Sequence, residues 1–270
     1  MPGRITSALI CLIFNNIVMA NTFKIIDVKE ALNLESAQWI DVRSKEEHGD
    51  HPLKGVPHLN WEDLVQDKFG LLKKNGRVLD DPRKINSLVT KLGINSDDPI
   101  IIFGGASRWG DEGRIAWNFL YWGARRVYLV NGGWKVLKPY SKQVRFLKKT
   151  AIFKVSLQKS RRITKAEIEQ LDLSKSKFID VRSLKEYESS LFVPYFSYPA
   201  LKNAFHFDDK LLYQKDGLYS DKNVLQKLRG VDFVYCLGGV RSALLALLLE
   251  DSFGSIVKNY DGSLWDWYQH

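Results

Sequence analysis

The sequence predicts an α/β protein made of two copies of one unit, each a mostly parallel sheet flanked by helices. Three observations predict it. First, Trp39-Ile40-Asp41-Val42-Arg43-Ser44 is echoed by Phe178-Ile179-Asp180-Val181-Arg182-Ser183, with five of six residues matching, which marks an internal duplication. Second, short apolar runs alternate with helix-length segments in both halves, the pattern of strands buried on both faces by crossover helices. Third, an apolar run late in each half, Ile100 to Phe103 and Asp232 to Tyr235, leads into a glycine-containing loop and then a helical pattern. Loops at the carboxyl ends of parallel strands form the binding crevice of such sheets.

From the amino end, residues 1–20 read as a secretory signal peptide. Arg4 precedes an apolar run from Ile5 to Met19, and Val18 and Ala20 stand three and one before a cut at Asn21. The expectation is an exported, periplasmic or secreted, mature chain with no stable membrane insertion after processing. Cys11 would be lost with the leader, leaving Cys236 as the one mature cysteine and excluding an intramolecular disulfide. The first unit is placed at 21–140, with helices at Lys84 to Leu92 and Gly113 to Trp122 and a further strand and turn at Val127 to Gly132. A basic stretch, 141–162, reads as a solvated linker. The second unit, 163–270, has helices at Lys165 to Leu171, Asp221 to Leu228 and Ser242 to Asp251, and closes on a strand and turn at Ser255 to Gly262.

The 270 residues carry a net charge of +9, a field that raises the local concentration of small anions. The basic residues are scattered without interleaved aromatics, which argues against a nucleic-acid surface. His48, His51, His58, His206 and His270 show no metal-ligand spacing, and no dinucleotide fingerprint is present. No metal or cofactor is expected.

The chemistry concentrates at Tyr235-Cys236-Leu237-Gly238-Gly239-Val240-Arg241-Ser242. Strand, loop and helix in that order place Cys236 before a helix N-terminus, where free N–H groups and the helix dipole stabilise a thiolate or persulfide anion. Leu237, Gly238, Gly239, Val240 and Arg241 would form the cradle, with Arg241 as a positive charge at its rim.

The duplicated Asp-Val-Arg, the Cys-x-x-Gly-x-Arg loop, the stretch Trp109 to Trp117 and the closing Tyr260-Asp261-Gly262-Ser263 together resemble the tandem-domain rhodanese family of thiosulfate and 3-mercaptopyruvate sulfurtransferases. The resemblance implies two rhodanese-like domains. Cys236 would take a sulfane sulfur from a small anionic donor as a persulfide and pass it to cyanide or a thiol. It also implies that Arg182 and Arg241 bind the donor and that Asp180 is a structural support. Gly104 stands where the second repeat has Cys236, so the first repeat is expected to be non-catalytic. Trp109 and Arg114 could still reach toward the site, with core packing and a salt bridge as the roles expected first. The chain departs from the family at Leu237-Gly238, at Glu186, at Ser190 to Tyr195 and at Leu264, so neither donor is singled out. Two other readings stand beside this one. A related phosphatase loop needs five residues between cysteine and arginine, and this chain has four. A non-enzymatic binding or scaffold module would keep the fold without turnover.

Overall fold

The computed structural model describes residues 22–66, 76–105, 107, 109–146, 152–189, 191–193 and 196–269. The leader 1–20, with Cys11, lies outside the described residues, as do Ser190, Pro194 and Tyr195 of the departing segment. Two four-stranded sheets carry the fold. In the first, β1 (Thr22–Ile26), β2 (Gln38–Asp41), β3 (Ile100–Phe103) and β4 (Arg126–Val130) lie in the order β1-β4-β3-β2, every pair parallel. In the second, β5 (Phe178–Asp180) is followed by a small antiparallel hairpin, β6 (Leu191–Val193) and β7 (Phe196–Ser197). The sheet continues with β8 (Phe205–His206), β9 (Phe233–Tyr235) and β10 (Lys258–Asn259), in the parallel order β10-β9-β5-β8. The predicted duplication is therefore structural: β2, β3 and β4 of the first unit match β5, β9 and β10 of the second. Strand β1, which joins the first sheet at its edge beside β4, has no counterpart in the sequence reading.

Ten α-helices accompany these strands among the described residues: α1 (Val28–Asn33), α2 (Lys45–Asp50), α3 (Pro82–Leu92), α4 (Asp111–Trp122), α5 (Gly133–Leu137), α6 (Lys165–Glu169), α7 (Leu184–Ser189), α8 (Lys222–Leu225), α9 (Val240–Phe253) and α10 (Ser263–Trp267). Their starts follow side-chain caps where the sequence supplies them. Ser44 and Thr164 form capping boxes with Glu47 and Glu167, and Asp81 accepts two backbone N–H bonds ahead of Pro82.

Helices α4 and α9 are the equivalent crossovers of the two units, and they pack on each other. Every residue of α4 after Asp111 is buried, as is every residue of α9 from Val240 to Leu249. A helix buried on all sides lies in the middle of a core, and here one core cluster runs through both units, from Ile40, Ile102 and Trp117 to Val234, Ala243 and Leu247. Gly113 makes the close approach: a Cβ there would lie 2.5 Å from the Cβ of Leu244.

The segment 141–162 corrects the solvated-linker reading at its end. Phe153 packs edge-on against Phe119 in the first unit's core. Arg161 is buried and bidentate to Glu250 on α9, and Arg162 bridges Asp80 and Asp261. Arg162 thus clamps the two units together and Arg161 anchors the segment to the second, because a buried guanidinium is tolerated only when its donors are satisfied.

Candidate active site

Strand β9 ends at Tyr235, and α9 begins at Val240 with Gly239 as its N-cap at φ 77°. The four residues between turn the chain so that Gly239 N donates to Cys236 Sγ at 3.1 Å. Ser242, one turn into the helix, places its hydroxyl 3.6 Å from the same sulfur and donates to Asn259 Oδ1 at 2.7 Å. Asn259 in turn donates to the Gly239 carbonyl.

The closing motif braces the loop from below. Ser263 Oγ, held in a positive-φ conformation, accepts from Cys236 N, and Trp265 N donates to Leu237 O. The Trp265 ring fills the space beside Gly238, where a Cβ would come within 2.3 Å of it. Leu264 is buried, and the neighbouring Trp265 covers the loop.

Cys236 is 1% exposed. Burial pushes its thiol up; the Arg241 charge, the backbone N–H and hydroxyl of Ser242, and the Gly238 N–H together outweigh that and bring the thiol below its ordinary value. A buried sulfur held by amides at a helix N-terminus is set up to carry negative charge.

Arg241 belongs to the loop's surroundings in a different way from that expected. It is no rim charge. Its guanidinium is 2% exposed, bidentate to Glu186 at 2.7 and 2.8 Å, bonded to Asp209 at 2.5 Å, and stacked on Trp109 at 4.5 Å. Arg182 is corrected likewise. It is buried, bidentate to Asp180 and bonded to the Tyr198 carbonyl, so it offers no face to a donor from solvent. Arg43 repeats this arrangement with Asp41 in the first unit, which makes the Asp-x-Arg pair an architectural device of both repeats. Asp180 accepts from both Nε and a terminal nitrogen of Arg182.

Three of the histidines serve the same architecture: His48 bonds Asp41, while His58 and His206 bond the carbonyls of Arg43 and Arg182.

Arg114 and Trp109 correct their expected roles in the opposite direction. Among the described residues Arg114 makes no salt bridge. Fully buried, it reaches from α4 into the other unit, donating to the carbonyls of Gly239 and Asp261 and to Gly76 O. Burial pushes its guanidinium down to about 10, against the opposing pull of Asp261 and Cys236. Trp109, 41% exposed, lies on Arg241 rather than in a core. Sequence reasoning missed Ser242, Asn259, Ser263, Glu186 and Asp209 as members of the site. Only Ser242 and Ser263 had a local signal, the first at the opening turn of the helix and the second in the closing motif.

Two α/β units with a strand-end thiol cradled at one helix N-terminus define a rhodanese-fold protein. The rhodanese-like domain family matches residues 25–138. A curated protein of Mycolicibacterium smegmatis named "Putative thiosulfate sulfurtransferase" is 26% identical over 78% of this chain and 80% of its own length. One of the same name from Mycobacterium leprae is 26% identical over 86% and 89%. Among solved structures, a 3-mercaptopyruvate sulfotransferase from Escherichia coli superposes with a TM-score of 0.71 at 18% identity, covering 90% of this chain and 99% of its own. Residues 25–138 thus form a rhodanese-like domain, and the whole chain has the tandem rhodanese fold and is similar to sulfurtransferases.

Proposed function

We propose that the protein transfers a sulfane sulfur from a small anionic donor to cyanide or a thiol through a persulfide on Cys236. One observation carries the reading: the single thiol among the described residues sits at the N-terminus of a 14-residue helix, accepting an N–H at 3.1 Å, with its titration shifted toward the thiolate. With thiosulfate, the thiolate attacks the outer sulfur, the S–S bond breaks, and the electron pair leaves with sulfite. With 3-mercaptopyruvate, the C–S bond breaks, the pair passes to carbon as the enolate of pyruvate, and solvent supplies its proton while taking up the thiol proton. In the second half, cyanide attacks the outer sulfur, the pair returns to Cys236, and thiocyanate leaves. Splitting the transfer this way lets one anion-stabilising loop serve both halves.

The first repeat supplies Arg114, Gly76 and Trp109 to the second repeat's site and has Gly104 in place of the nucleophile, which supports a non-catalytic, bracing role. Export rests on the sequence of residues 1–20.

Intact-mass spectrometry of the full chain is the test. Incubation with either donor should add one sulfur, about 32 Da. Cyanide should remove it, and a Cys236→Ser variant should never acquire it. No gain with either donor leaves the binding-module reading in possession of the fold.

A further inference from the structure

Arg241 is a positive charge that acts on the thiol, and it is already taken. Its two terminal nitrogens bind both oxygens of Glu186, and one of them also binds Asp209. The exposures are ordered: the guanidinium side chain is 2% exposed, Glu186 13% and Asp209 16%. What this cluster shows to solvent is carboxylate, with the guanidinium behind it and Trp109 across its face. Two carboxylates against one guanidinium leave the ionised cluster net negative. The chain as a whole carries +9, so its long-range field gathers anions that this local field then sorts. At the separations of neighbouring side chains in a partly solvated site, a second negative charge on a ligand is disfavoured roughly three- to tenfold.

We propose that Glu186 and Asp209, by occupying Arg241, set donor selectivity, making the site disfavour dianionic sulfane donors such as thiosulfate and favour donors bearing at most one negative charge, such as 3-mercaptopyruvate. The proposal rests on the persulfide reading and deepens it. Both carboxylates are positioning residues, since they act through Arg241. The transfer itself is unchanged: the Cys236 thiolate forms the new S–S bond, and the departing pair leaves with sulfite or with the pyruvate enolate.

The test compares kcat/KM for thiosulfate and 3-mercaptopyruvate, with cyanide as acceptor, in the full chain and in separate Glu186→Gln and Asp209→Asn variants. The wild type should favour 3-mercaptopyruvate, by about tenfold or more. Each variant should raise thiosulfate use relative to 3-mercaptopyruvate by about three- to tenfold, mainly through KM. The pH profile of Cys236 alkylation by iodoacetamide should move toward acid by about half a unit or more, because the Arg241 charge is then less neutralised; a merely structural role would not produce that shift. The substitutions are close to isosteric, and the wild-type ratio decides even where a variant misfolds: a wild type that prefers thiosulfate overturns the proposal. So does a parallel loss with both donors in the variants, or a donor ratio that stays fixed while the persulfide still forms; those outcomes spare the transfer reading. A wild type that forms no persulfide with any donor overturns both.

Discussion

Cys236 has the ordinary chemistry of a thiol until its neighbours are added. Burial opposes ionisation, and the balance tips only because Arg241, Ser242 and the loop amides each favour the anion. Ser242 is the contributor that can be removed with least disturbance, since its backbone stays in the helix. Ser242→Ala should raise the thiol pKa, because a hydroxyl beside the sulfur that favours the anion is lost. The sign follows directly: a raised thiol pKa lowers the thiolate fraction below that pKa and leaves it unchanged well above. Persulfide formation in the variant should therefore be about threefold slower near pH 7 and should approach wild type by pH 10, read from single-turnover rates across that range. A uniform deficit at every pH would assign Ser242 to loop geometry instead. Gly239 is a different kind of requirement. At φ 77° with a Cβ position 2.0 Å from the Asp261 carbonyl oxygen, it admits no side chain.

The elements that the sequence made legible are those whose signal is local. Asp41-Val42-Arg43 and Asp180-Val181-Arg182 announce their strands by repetition, and the run from Ala243 to Leu249 announces a buried helix. Cys236 with two glycines and an arginine announces a loop. What stayed hidden depends on partners far along the chain: Arg241 meets Glu186 and Asp209, 55 and 32 residues away, and Arg114 meets Gly239, 125 residues away. A lone arginine reads the same whether it will grip a ligand or be gripped by carboxylates, so Arg182 and Arg241 were both legible as charged residues and misassigned in their partners. The α4–α9 contact was hidden for the same reason, although Gly113 marks it. A Cβ there would lie 2.7 Å from the Leu244 Cα, a backbone atom that cannot step aside. Gly113→Val should therefore cost about 1–3 kcal/mol as overpacking, seen as a lower urea midpoint at unchanged slope. An unaltered midpoint would mean that the two helices slide apart freely and that their packing is not fixed by that glycine.

At the scale of the whole molecule, the two units are unequal partners in one site. The second unit holds the thiol, yet the carbonyls of Gly239 and Asp261 that close its loop receive their buried donor from Arg114 of the first. Asp261 is held further by the Val78 amide and by Arg162, and the buried Glu112 of α4 accepts from the hydroxyls of Tyr213 and Tyr219. Separating the units would leave the Gly239 and Asp261 carbonyls without Arg114 and would expose the α4-facing stripe of a helix that is buried all round, both unfavourable changes. The duplicated strands nevertheless suggest that each half was built as a complete unit. A fragment of residues 163–270 discriminates between independence and mutual completion. It should express with helical content but bind a hydrophobic dye, and it should form no persulfide on Cys236 under conditions where the full chain is fully labelled. Addition of the first unit as a separate chain should restore labelling in proportion to complex formed. Were the fragment alone to label within about tenfold of the full-chain rate, the loop would hold itself together without Arg114, and the first unit would be a neighbour of the site and no part of it.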